Sequence, residues 1–131
     1  MSRERGHVGR GYVGWALPEA ERARLLALFP PRYARTVAHH VTLAYGVGAR
    51  HPLPMERQGT IVGLADDGEG VQALVVAIAG TTDRPGGGTC HVTWSLGPGR
   101  RAVESNAVIG RLGWAPVGPV SVRLEPRFFP D

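Results

Sequence analysis

The chain has 131 residues, of which 43% are hydrophobic and 20% are charged, with a formal net charge of +4. This composition excludes a disordered chain, and no apolar run approaches the ~20 residues that a membrane-spanning helix needs. We therefore expect a single domain over residues 1–131 that is a monomer, has no membrane partner and begins with a flexible segment at 1–10. One cysteine cannot form an internal disulfide, which is consistent with a cytoplasmic location.

All 15 basic residues are arginine. Covalent chemistry on a lysine, such as a Schiff base or a nucleotidyl-lysine intermediate, is therefore excluded. Guanidinium groups are well suited to binding phosphate, which favours an anionic partner. A GC-rich genome would produce the same excess of arginine, so the composition alone leaves both explanations open.

The first half of the chain predicts a strand, a helix and a second strand. Apolar residues over 12–17 are typical of a strand, and Pro18 suits the first position of the helix that follows. Leucines at helical spacing continue this helix until Pro30 and Pro31 end it. A second strand is expected over 36–45, and residues 46–57, rich in glycine, proline and charge, predict a loop.

The second half predicts a hairpin, a further strand, a helix and a last strand. The hairpin strands are expected at 59–64 and 71–79, followed after a glycine-rich loop by a strand over 89–96. A helix over 102–112 and a strand over 117–124 complete the order, before a short tail. The order β-α-β-β-β-β-α-β predicts an α+β fold, with antiparallel strands around a central groove and helices on the outside.

The sequence His-Val-Thr occurs in two of the predicted strands, starting at His40 and at His91. Side chains alternate between the faces of a strand, so the histidine and threonine of each copy share one face and the apolar residues share the other. The separation of the two copies is close to half of the chain. This pattern is expected from an internal duplication with approximate two-fold symmetry, in which two imidazoles and two hydroxyls line one groove.

Such a groove is suited to displacement at a phosphodiester. Imidazole titrates near neutral pH, so one histidine can accept a proton from water while the other donates a proton to the leaving oxygen. The threonine hydroxyls can bind the non-bridging phosphoryl oxygens as negative charge develops. This mechanism requires no metal and no other cofactor.

The two tetrads, His-Val-Thr-Leu at 40–43 and His-Val-Thr-Trp at 91–94, resemble the HxTx motifs of the two-histidine (2H) phosphoesterase superfamily. This superfamily includes 2′-5′ RNA ligase-like proteins and cyclic phosphodiesterases. The resemblance implies a duplicated, bilobal α+β fold and a hydrolase that opens 2′,3′-cyclic phosphates at RNA ends or on nucleotides, in RNA processing. It implies that His40 and His91 are the general acid and base, with His40 as the acid by analogy, and that Thr42 and Thr93 bind the phosphate. The chain is short for the family, which favours a small or end-bound substrate.

Four further residues are candidates for binding substrate: Arg100, Arg101, Trp15 and Ser95. The two arginines follow the second motif, where they could reach a phosphate, although a solvated pair at a helix start would look the same. Trp15 could stack on a base, but packing is the commoner role of such a residue. Tyr45 and Trp94 are expected to face the core.

Several residues near the motifs have simpler explanations. His39 is expected to point away from His40 and to be structural, because adjacent residues of a strand face opposite sides. Cys90 is expected to be a small buried thiol, and no zinc-ligand spacing is present. Two other functions remain open: a non-catalytic RNA- or nucleotide-binding domain, and a phosphodiesterase for another bond such as a 2′-5′ linkage.

Overall fold

The computed structural model describes residues 10–131. The sequence predicts a flexible segment at 1–10. Residues 1–9 of this segment lie outside the described range, and Arg10 begins the first strand. The described strands are β1 (Arg10–Ala16), β2 (Arg35–Thr36), β3 (His40–Gly48), β4 (Gln58–Asp66), β5 (Val71–Ala77), β6 (His91–Leu96), β7 (Ala115–Arg123) and β8 (Glu125–Pro130). The helices are α1 (Glu19–Leu28) and α2 (Glu104–Leu112). No helix in this part of the chain is long and apolar enough to cross a membrane.

The strands form one antiparallel sheet that curls into a half-barrel. Its order is β7-β4-β5-β6-β3-β1-β8, and β2 pairs with β6 beside this path. The predicted α+β class with antiparallel strands is therefore confirmed. The two strands that carry His-Val-Thr, β3 and β6, are neighbours near the middle of the sheet.

The main core lies against the apolar face of the central strands. Val41 of β3 and Val92 of β6 are buried directly opposite each other, and Trp94 is buried beside them. Helix α1 contributes Leu25 to the same cluster. Burial of each such side chain contributes about 1.5–3 kcal/mol, so this face of β3 and β6 is held firmly. The alternating side chains, which include both histidines of the motifs, are thereby directed to the other face.

The strand predicted over 36–45 is interrupted by a bulge at 37–39. Thr36 pairs with Ser95 and Val41 pairs with Val92. An advance of five residues in this strand is therefore matched by an advance of three residues in β6. Ala38 adopts a left-handed conformation with φ of 46°, as extra residues in a bulge often do. The side chain of Arg22 in α1 stabilises the bulge by donating to the carbonyl of Ala38.

The predicted tail after residue 124 forms the edge strand β8. It pairs with β1, placing Phe129 opposite Tyr12. The two rings stack with their centroids 4.9 Å apart, and Phe129 is buried. After residue 124 the sequence predicts only a short tail; the prolines and charges of this segment are tolerated in a strand because it lies at the edge of the sheet.

Candidate active site

The pairing of β3 with β6 places each histidine beside the threonine of the other motif. Val41 is opposite Val92 in an antiparallel register, so His40 lies opposite Thr93 and Thr42 lies opposite His91. All four side chains line one pocket of about 230 Å³. The pocket is also lined by Tyr12, Val37, Tyr45, Ala102 and Val103. The structure thus brings the four predicted catalytic residues together around a local two-fold arrangement.

The imidazole of His91 is held in one orientation by its own strand. Its Nδ1 lies 2.8 Å from the carbonyl oxygen of Thr89, which can only accept a hydrogen bond. Nδ1 therefore carries the proton, and Nε2 is the nitrogen available to the pocket. Burial lowers the pKa of His91, the Thr89 hydrogen bond partly offsets this, and the charge of Arg84 lowers it further. A neutral ring with a free Nε2 is suited to accept a proton.

His40 is also oriented through Nδ1, but its partner is another histidine. The Nδ1 atoms of His39 and His40 are 3.0 Å apart. The expectation that His39 points away from His40 is therefore wrong, because His39 belongs to the bulge and not to the alternating part of β3. The rings of Tyr12 and Phe129 each lie 5.1 Å from the His40 ring. Burial, followed by repulsion from His39 and His91, lowers the pKa of His40 to about 4.

The hydroxyl of Thr93 is tied to helix α2. Its Oγ1 lies 2.9 Å from the Oγ of Ser105 and donates to the carbonyl of Ala102 at 3.3 Å. Ser105 is fully buried in the first turn of α2. When Ser105 donates to Thr93, the Thr93 proton can turn from Ala102 toward an oxygen in the pocket. The position of Thr93 is thus set by both β6 and α2.

Two tyrosines form part of the pocket wall, and one of them was expected elsewhere. Tyr45 is 56% exposed and lines the pocket, so the prediction that it faces the core is wrong. Between β1 and β3, Gly14 pairs with Thr42 but Val13 pairs with Ala44, so Leu43 is an extra residue. This bulge reverses the alternation and places Tyr45 on the pocket face, opposite Tyr12. Trp94 is buried, as expected.

Trp15 and Ser95 lie outside the pocket, which corrects their prediction as substrate-binding residues. Trp15 is 2% exposed, and its indole N–H donates to the carbonyl of Glu56 at 2.8 Å. Ser95 is fully buried, donates to Gln72 Oε1 at 2.5 Å and accepts from the backbone N–H of Tyr33. Trp15 therefore joins β1 to the loop before β4, and Ser95 joins β6 to β5 and to the loop before β2.

Neither Arg100 nor Arg101 is among the residues that line the pocket, and Arg101 directly precedes the lining residue Ala102. The guanidinium of Arg100 pairs with Asp67 at 2.9 Å and with Glu104 at 2.8 Å. Two carboxylates neutralise it, and the three residues connect the β4–β5 turn to the start of α2. Arg101 is exposed, and its backbone N–H donates to Glu104 Oε2 at 2.7 Å. The guanidinium of Arg100 and the backbone of Arg101 therefore support the first turn of α2. A role of Arg100 in binding phosphate is contradicted, whereas a role of the Arg101 side chain stays a prediction.

A different arginine, missed in the sequence, stands beside the pocket. The guanidinium of Arg84 lies over the ring of Tyr45, with Cζ 5.6 Å from the centroid, and donates to Asn106 Oδ1 at 3.0 Å. Its Nη1 is buried and has no hydrogen-bond partner among the described residues. Gly88 has φ of 92°, and a Cβ there would lie 2.7 Å from Arg84 Nη2. The glycine-rich loop before the second motif is the sequence feature that could have identified this residue.

Cys90 behaves as the buried thiol that was expected. Its side chain is buried and forms no disulfide, and burial raises the pKa of the thiol. A raised pKa leaves little thiolate, so Cys90 is a poor nucleophile. Within residues 10–131, no three His, Cys, Asp or Glu side chains are grouped so that they could hold a metal ion.

Comparisons of the chain with protein-family models, with curated proteins and with solved structures found no match. The inference of function therefore depends on the geometry and chemistry of the pocket.

Proposed function

We propose that the protein is a metal-independent phosphodiesterase of the 2H type that hydrolyses 2′,3′-cyclic phosphates at RNA ends or on nucleotides. The observation that supports this proposal is the arrangement across β3 and β6. Two histidines, each beside the threonine of the other motif, line one pocket and are oriented through Nδ1. Acid, base and phosphate-binding hydroxyls are then available within one small site.

In this mechanism His91 is the base and His40 is the acid. The Nε2 atom of His91 accepts a proton from a water molecule, whose oxygen forms a bond to phosphorus. The bond from phosphorus to one ribose oxygen breaks, and that oxygen receives a proton from Nε2 of His40. Thr42 and Thr93 donate to the non-bridging oxygens, where negative charge increases in the transition state.

The size and lining of the pocket favour a small substrate. A volume of about 230 Å³ lies below the roughly 300–1,000 Å³ of most drug-sized ligand sites, so a cyclic phosphate with its ribose is a better match than a long RNA. Tyr12 and Tyr45 offer aromatic surface at the wall. The charge of Arg84 favours an anion nearby, and a bound phosphate would raise the pKa of both histidines.

The duplicated bilobal fold is part of the same proposal. The boundary between β3 and β6 divides the sheet into β3-β1-β8 on one side and β6-β5-β4-β7 on the other. Each side carries one motif at this boundary, and in chain order one helix follows a strand of each side, α1 after β1 and α2 after β6. We assign these two groups of elements as the lobes, with β7 as an additional edge strand.

The proposal is tested by hydrolysis of a 2′,3′-cyclic nucleotide, and of a short RNA ending in one, in the presence of EDTA. The wild type is compared with His40→Ala, His91→Ala and the control His51→Ala, which changes an exposed loop histidine. We expect turnover by the wild type and the control, and a loss of about 10²–10⁴-fold in each of the other variants. Turnover that survives both pocket variants would contradict the proposal.

One observation favours a second candidate, a non-catalytic nucleotide- or RNA-binding domain. The pKa values of both pocket histidines are lowered, so neither ring alone is a ready proton donor at neutral pH. A binding domain would protect a cyclic phosphate from hydrolysis, whereas an enzyme would consume it. The assay above therefore separates the two, and including a 2′-5′-linked dinucleotide tests a phosphodiesterase for that bond.

A further inference from the structure

The contact between His39 and His40 requires a shared proton. Their Nδ1 atoms are 3.0 Å apart, and the ring planes are nearly perpendicular at 80°. Two N–H groups at this distance would repel each other, and so would two lone pairs, so one ring donates and the other accepts. The ring that donates determines the tautomer of the other.

The position of this proton decides what His40 presents to the pocket. If His39 donates, the neutral ring of His40 carries its own proton on Nε2 and offers a donor to the pocket. If His40 donates, its Nε2 has only a lone pair. Transfer of the shared proton to Nδ1 of His40, coupled to loss of the Nε2 proton into the pocket, therefore converts His40 from donor to acceptor and leaves it neutral.

The two rings lie in different surroundings. His40 is half-buried behind Tyr12 and Phe129 and also faces His91. His39 is exposed in an outer cleft of about 590 Å³. The charged groups that line this cleft are Glu19, Arg22, Glu125 and Arg127. Because water solvates an imidazolium far better than a buried pocket does, the positive charge of the pair belongs on His39.

We propose that His39 is a positioning residue of the acid, holding the proton and the positive charge that His40 delivers to the pocket. This role depends on the proposed phosphodiesterase function. The Nε2 proton of His40 passes to the leaving ribose oxygen while the Nδ1 proton of a charged His39 passes to Nδ1 of His40. His39 becomes neutral, and His40 stays neutral throughout. After the product leaves, pocket water, to which His91 has returned its proton, reprotonates His40 Nε2, and the shared proton returns to His39.

The kinetic test uses His39→Asn and His39→Ala beside the control His51→Ala. An asparagine amide can still donate to His40 Nδ1 and orient the ring, but it cannot give up its proton. We expect kcat of His39→Asn at pH 7 to fall at least about tenfold, with KM little changed, against the 10²–10⁴-fold loss expected when the acid itself is removed. His40 must then carry the charge itself, so the descending limb of the pH profile moves to lower pH. An unchanged kcat and pH profile in His39→Asn would overturn the proposal.

A second measurement does not depend on turnover. Long-range ¹H–¹⁵N NMR spectra report which nitrogen of each histidine carries a proton. We expect the shared proton on Nδ1 of His39 and the proton of the neutral His40 ring on Nε2; a neutral His40 ring with its proton on Nδ1 would overturn the pair. If the wild type hydrolyses no cyclic phosphate, the proposed function fails, and these spectra still decide whether His39 donates to His40.

Discussion

Replacing Thr93 by valine would separate the structural role of its hydroxyl from its proposed role in the reaction. Valine has nearly the same shape, so the packing of β6 is kept. The buried Oγ of Ser105 loses its partner at 2.9 Å, which costs about 1–3 kcal/mol of stability. If the Thr93 hydroxyl also binds a phosphoryl oxygen, kcat falls by about 10²–10³-fold, the usual effect of removing one such donor.

Ser105→Ala is the matched variant for this prediction. It breaks the same hydrogen bond but leaves the Thr93 hydroxyl in the pocket, so we expect a comparable loss of stability, with kcat reduced by much less than in Thr93→Val. Stability is measured by urea unfolding, and kcat is measured with a 2′,3′-cyclic nucleotide at a temperature where every variant is folded. Equal losses of kcat in the two variants would refute a direct role of the Thr93 hydroxyl.

Three further predictions concern pH, charge and packing. Because the folded protein holds His40 with a pKa of about 4, the unfolded chain binds its proton more readily, and stability is lost as the pH falls from about 6.5 toward 4. Urea unfolding should show a loss of up to about 2 kcal/mol from this group after allowance for its partial exposure, and a smaller loss in His40→Ala. Arg84→Met keeps an apolar contact with Tyr45 but removes the charge, so KM should rise by about tenfold with little change in kcat, whereas the exposed Arg111→Met should change neither. Trp15→Phe should cost about 1 kcal/mol through the lost hydrogen bond to the Glu56 carbonyl and leave kcat unchanged; a selective loss of activity would restore Trp15 to the site.

The sequence was sufficient to predict those parts of the fold and site that depend on the alternation of side chains along a single strand. The apolar partners Val41 and Val92 fix one face of β3 and β6, and the two-residue period then places each histidine and threonine on the other face. Both helices, most of the strands and the antiparallel α+β class followed from similar local patterns, whereas β8 and the interruption between β2 and β3 did not. These features need no knowledge of which strand pairs with which.

The bulges were beyond this reasoning because they depend on pairing between distant strands. His39 and Tyr45 were both assigned by counting along an uninterrupted strand. The bulge at 37–39 has two extra residues and takes His39 out of the alternation, whereas the single extra residue Leu43 reverses the side chains that follow it. Only the register with β6 or β1 shows where these extra residues lie. The two wrong orientations, those of His39 and Tyr45, concern residues that border the proposed site. The strand departs from regular geometry next to this site.

The substrate-binding candidates show a different limit. Arg100 has a suitable charge and a suitable place in the sequence, but Asp67 and Glu104 neutralise it. Arg84, in the loop before the second motif, instead lies over the ring of Tyr45, and its charge lowers the pKa of the second histidine. Arginine identity alone does not distinguish a guanidinium used for folding from one left for a ligand, because the distinction depends on the carboxylates that the fold brings near it.

The central claim, that this pocket breaks a phosphodiester bond, is tested most directly by ³¹P NMR of a 2′,3′-cyclic nucleotide incubated with the protein in EDTA. We predict that the cyclic phosphate signal is replaced by that of a 2′- or 3′-phosphomonoester with the wild type, and that it persists with His91→Ala. A cyclic phosphate signal that persists with the folded wild type would contradict the claim.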